Sequence, residues 1–68
     1  MENHELRDKV GAQLRDARVK ANLTCDQLAD VSGVSKSTIS KIENGKWSVS
    51  VDMLEKLLPP LGVDLYIY

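Results

Sequence analysis

One short device occurs three times along this chain: a hydroxyl residue with an apolar residue before it and another apolar residue four positions later. Thr24 stands between Leu23 and Leu28, Ser35 between Val34 and Ile39, and Ser50 between Val49 and Leu54. A Ser or Thr oxygen at a helix N-cap accepts from an amide that the first turn leaves without a partner, and the apolar pair closes over it as a hydrophobic staple. Gln27, three residues after Thr24, completes a capping-box pattern. Starts this close together allow only short helices joined by tight turns, and the pattern predicts helices over 25–31, 36–44 and 51–58. Gly33 permits the positive φ of a turn between the first two, and Gly45 stops the second. Pro59 and Pro60 lack amide hydrogens and are expected to kink or end the last. Upstream, Leu6, Val10, Leu14, Ala17 and Ala21 follow steps of four, four, three and four, which predicts a helix over 5–21 with one apolar stripe. Asn22 after it tolerates the left-handed conformation of a helix end.

The last residues change period. Val63, Leu65 and Ile67 alternate with Asp64, Tyr66 and Tyr68, a strand pattern over 63–68. A lone strand would leave its amides and carbonyls unpaired, so it either pairs antiparallel with the same strand of a second copy, across a homodimer axis, or lies as a tail on the core. Trans pairing is the simpler solution. The expected architecture is therefore all-α, a compact bundle of four helices over 1–62, with a dimerisation strand over 63–68.

At 68 residues the chain makes one small domain, which buries roughly 60% of its unfolded surface and gains from a second copy. Cys25 is the only cysteine, so an intrachain disulfide and a thiolate-rich metal site are both excluded, and a reducing, cytoplasmic setting fits. No apolar run is long enough for a membrane span or a signal peptide. The net charge of −1 and pI near 5.7 argue against a general polyanion binder. The charge is unevenly spread, however: residues 33–51 hold three lysines against one acid, and 52–68 hold one lysine against three. Any polyanion would meet the middle of the chain.

That middle is two short helices joined by a turn at Gly33, the layout of a helix-turn-helix whose second helix enters a DNA major groove. Leu28, Ala29, Val34, Ile39 and Ile42 are expected to face inward, with small Ala29 at the crossing. At about 100° per residue, the inward half of the helix over 36–44 also takes Ser35 and Glu43. Ser37, Ser40, Lys41 and Asn44 then point outward, with Lys36 at the side. Short hydroxyls allow close approach to base edges, and lysine reaches guanine acceptors or phosphates. Glu43 is an acid on the inward side and needs a partner. Arg18, at the edge of the first apolar stripe, is the expected one, in a structural ion pair bracing helix against helix.

Other residues read more plainly. Trp47 beside a helix start either covers the core, the commoner arrangement, or offers its indole hydrogen to a phosphate. Cys25 at a helix N-terminus is either a small residue near DNA or a redox-sensitive thiol, the former being commoner. His4 has no cluster of ligands at metal spacing beside it. No nucleophile, base and oxyanion set and no phosphate loop can be drawn up, so neither enzyme activity nor a cofactor is expected.

The run LRDARVKANLTCDQLADVSGVSKSTISKIENGK followed by SVDMLEKLLPPLG resembles the Xre-type, phage lambda-repressor-like helix-turn-helix family over about three quarters of the chain. Arg18, the LT-x-x-x-LA of 23–29, the GVS of 33–35 and the IS-x-x-E-x-G of 39–45 carry the resemblance. It implies a four- to five-helix bundle that binds double-stranded operator DNA as a dimer. Base contacts would come from Lys36, Ser37, Ser40 and Lys41. Thr38 would lie near phosphate, and backbone contacts would come from Thr24, Cys25, Asn44, Lys46 and Trp47. The sequence departs from the family in having Cys25 where many members have glutamine, Val49 where proline is common, and Pro59-Pro60 with a terminal strand in place of the last helix. That strand is similar to the tails of antitoxins of the HipB and HigA kind, which implies a toxin protein as a further partner. The function implied is a sequence-specific transcriptional repressor, with an antitoxin as the alternative.

Overall fold

A computed structural model describes residues 4–63. Four helices follow in order: α1 (Glu5–Lys20), α2 (Cys25–Ser32), α3 (Lys36–Glu43) and α4 (Val51–Leu61). The three hydroxyl caps are formed. Thr24 Oγ1 accepts from the Gln27 amide at 3.1 Å while Gln27 Oε1 accepts from the Thr24 amide at 2.9 Å, and Ser35 and Ser50 accept from the Thr38 and Met53 amides, each at 3.1 Å. The staples close as well, with Val34 buried and Leu23, Val49 and Leu54 packed against the core.

The core is built from every helix: Leu14 of α1, Leu28 of α2, Val34 of the turn, Ile39 and Ile42 of α3, and Leu57 and Leu61 of α4. Helix α3 lies between α1 and α2, and α4 packs on α2. Gly11 is where α1 meets α3. A Cβ there would collide with the carbonyl oxygen of Ile42 and crowd that of Glu43, so the two backbones touch with no side chain between them. Any larger residue would force α1 away from α3.

Four expectations differ from the fold. Helix α4 does not stop at Leu58 but continues through Pro59 and Pro60 to Leu61. The two carbonyls deprived of a donor, those of Glu55 and Lys56, belong to exposed residues, where a missing amide partner costs little, and burial of Leu57 and Leu61 holds the last turn in place. The helix is ended instead by Gly62 at φ 69°, whose amide donates to Pro59 while the Val63 amide donates to Leu58, the bond pattern of a Schellman closure. Leu6, counted in the apolar stripe of α1, is 74% exposed, because it lies more than one turn beyond the Gly11 crossing. Helix α1 closes at Lys20 rather than Ala21, with Asn22 at φ 60°. The strand proposed over 63–68 lies outside the described residues apart from Val63, which is in no regular element. The bundle has four helices among the described residues rather than five.

Candidate nucleic-acid interface

Helices α2 and α3 are joined by a three-residue turn, Gly33 to Ser35. Gly33 adopts φ 77°, its amide donates to Ala29 at 2.9 Å, and the Val34 amide donates to Ser32 Oγ at 3.1 Å. The positive φ needs glycine and reverses the chain within one residue. Burial of Ile39 and Ile42, each 2% exposed, then fixes which side of α3 faces outward. Lys36 and Ser37 are exposed, and Thr38, Ser40 and Lys41 are half-buried along its flanks. Ser35 does not face inward as the helical wheel indicates. It is exposed, because a cap residue precedes the helix and points its hydroxyl along the axis, where it also donates to Thr38 Oγ1 at 2.8 Å. Asn44 is exposed and folds back, its Nδ2 donating to the Ser40 carbonyl at 2.8 Å.

The inward acid of α3 meets a cation. Arg18 Nε donates to Glu43 Oε2 at 2.8 Å and Nη2 to Oε1 at 3.1 Å, a two-point contact in which the side chains are 13% and 7% exposed. Nη1 donates to the Leu23 carbonyl at 2.8 Å, so one guanidinium links the end of α1, the loop before α2 and the end of α3. Hydrogen bonding to Glu43 raises the Arg18 pKa against the opposing effect of burial, and the Glu43 charge adds to the rise. The guanidinium therefore stays charged throughout the pH range in which a protein of this kind is folded. Cys25 Sγ lies 4.0 Å from Glu43 Oε1, half-buried. Its thiol points into this cluster, and Thr24 beside it uses its hydroxyl in the capping box.

Two contacts of the α3 lysines escaped the sequence reading. Lys36 Nζ is 3.4 Å from the Asp26 carboxylate, joining the first turns of α2 and α3 on an exposed surface. Nothing in the spacing reveals that pair, since it depends on the crossing of the two helices. Lys41 Nζ lies over the Trp47 ring, 4.3 Å from its centroid. Trp47 is 44% exposed, which corrects its reading as a core residue. The signal for this contact was present in Gly45: its turn at φ 73° folds the chain back over the last turn of α3 and carries Trp47 beside Lys41. Lys46 is exposed in the same loop, and His4 is exposed at the start of α1. No described helix is long and apolar enough to cross a membrane, and no group of three or more His, Cys, Asp or Glu is placed to hold a metal among the described residues.

Residues 9–65 match the model of the family described as a helix-turn-helix domain. Over 42 residues, 62% of the chain and 31% of the relative, the sequence is 52% identical to the HTH-type transcriptional repressor RghR of Bacillus subtilis. It is 61% identical over 36 residues, 53% of the chain and 26% of the relative, to the uncharacterised HTH-type transcriptional regulator RghRB of the same organism. It is 39% identical over 59 residues, 82% of the chain and 89% of the relative, to an uncharacterised HTH-type transcriptional regulator of Methanocaldococcus jannaschii. The chain thus spans about a third or less of the length of the two Bacillus relatives. With the Gly33 turn, the buried Ile39 and Ile42 and the Arg18 contact to Glu43 all in place, the chain belongs to the Xre-like helix-turn-helix family.

Proposed function

We propose that this domain binds double-stranded DNA as a transcriptional regulator, with α3 in the major groove. The observation that carries the reading is the pair of faces on α3: buried Ile39 and Ile42 on one, and Lys36, Ser37, Ser40 and Lys41 on the flanks and outer side. In this reading those four residues meet base edges. Thr24, Cys25, Thr38, Asn44, Lys46 and Trp47 line the phosphate backbone, where amides at the α2 N-terminus suit anionic oxygens. Because Cys25 turns its thiol toward Glu43, its contribution is its amide. Regulator and repressor are the printed descriptions of the relatives, which favours repression by occupancy of an operator.

The operator is a palindrome met by a homodimer, its two α3 helices one helical turn apart, roughly 34 Å. The alternation over 63–68 supports pairing of that segment between two copies. A chain ending at Gly62 is therefore expected to sediment as a monomer, and an unchanged dimer would remove the strand from the interface. The antitoxin alternative draws on the same alternation alone.

Selection from random duplexes tests the division of labour. Lys41→Ala is expected to relax preference at one base position by about 1 to 3 kcal/mol. Lys46→Ala should weaken all sequences alike and lower the slope of log affinity against log salt by about one. If both variants show the same uniform loss, the separation of reading from anchoring is wrong.

A further inference from the structure

We propose that Trp47 is a positioning residue for Lys41, holding its ammonium at the C-terminal end of the reading face and thereby sharpening base choice; this rests on the assignment of Lys41 as a base reader. The ring is not beside Lys41 through side-chain packing alone. The amides of Lys46 and Trp47 both donate to the Lys41 carbonyl, at 2.8 and 3.3 Å, so the main chain fixes where the indole stands relative to the lysine it covers. The ammonium then lies 4.3 Å from the ring centroid, within the range of cation–π attraction.

The two lysines of α3 are held in chemically different ways. Lys36 faces the Asp26 carboxylate in an exposed pair, so DNA competes with an acid for its ammonium. Lys41 is held by a neutral ring, which restrains the four-carbon side chain while leaving its charge and its N–H donors for a polyanion. A restrained lysine contacts one acceptor set. A free one spreads over neighbouring phosphates and bases, which weakens discrimination more than affinity.

Trp47→Leu, Trp47→Phe, Lys41→Met and the Trp47→Leu/Lys41→Met double variant separate the possibilities, with circular dichroism melting to verify the fold of each. Without DNA, the Lys41 Cε protons are expected to show an upfield ring-current shift that Trp47→Leu abolishes and Trp47→Phe keeps in part. In competition titrations, Trp47→Leu should reduce discrimination by roughly two- to fivefold, at the one base pair where Lys41→Met also reduces it. Trp47→Phe should restore part of that loss, and Trp47→Leu should change nothing further at that base pair in the Lys41→Met background. An equal loss for every duplex, in both backgrounds, would overturn the proposal and leave Trp47 as a phosphate contact only. If Lys41→Met leaves base preference untouched, the assignment of Lys41 as a reader falls and the positioning role falls with it. If Lys41→Met relaxes one position and Trp47→Leu does not, the positioning role alone is overturned.

Discussion

Glu43→Ala is expected to lower folding stability by about 3 kcal/mol, the low end of the cost of stranding one member of a buried ion pair, because this pair is partly buried. The Arg18 side chain left behind is 13% exposed in the intact protein, and its contact with the Leu23 carbonyl satisfies one nitrogen but not its charge. A 68-residue domain commands roughly 3 to 10 kcal/mol in total, so much of the variant would be unfolded at physiological temperature. Urea unfolding followed by far-ultraviolet circular dichroism measures the loss. Arg18→Met combined with Glu43→Leu should recover most of it, because two apolar side chains of similar volume need no partner. A double variant as unstable as Glu43→Ala would mean that the pair stabilises in its own right, and not merely that a stranded charge destabilises.

Ile42→Ala is expected to cost about 2 to 5 kcal/mol, since the deleted groups leave a cavity that the neighbours only partly fill. Ile42 is 2% exposed and its carbonyl is the one that approaches Gly11, so its surroundings cannot close inward without moving α1. Val51→Ala, at a side chain 70% exposed, provides the comparison and should stay within about 0.5 kcal/mol of the parent. Comparable losses at both positions would contradict the arrangement of the core.

How much of this was legible in the sequence depended on whether the cause was local. Thr24, Ser35 and Ser50 announce helix starts because cap and amide are three residues apart. Gly33 announces the turn because one dihedral requires it. Glu43 was conspicuous for a different reason: an acid at a core-facing position demands a cation, and Arg18 is 2.8 Å away. Where local rules were set against burial, burial prevailed, and the core contacts of Leu57 and Leu61 carry α4 past the prolines. Leu6 has the periodicity of a core residue but lies beyond the helix it would pack on, which periodicity alone does not reveal. The Asp26 contact with Lys36 and the place of Trp47 over Lys41 depend on how elements cross and how a loop returns.

At Gly11 main chain meets main chain, and this contact joins the core side chains and the Arg18–Glu43 pair in setting how α3 lies against α1. The scaffold and the address are thereby decoupled. Lys36, Ser37, Ser40 and Lys41 are absent from the buried core and from the atoms that meet at Gly11, so the pose of the helix does not rest on them. A side chain at position 11 would therefore shift the whole reading helix at once, whichever residues that helix carries outward.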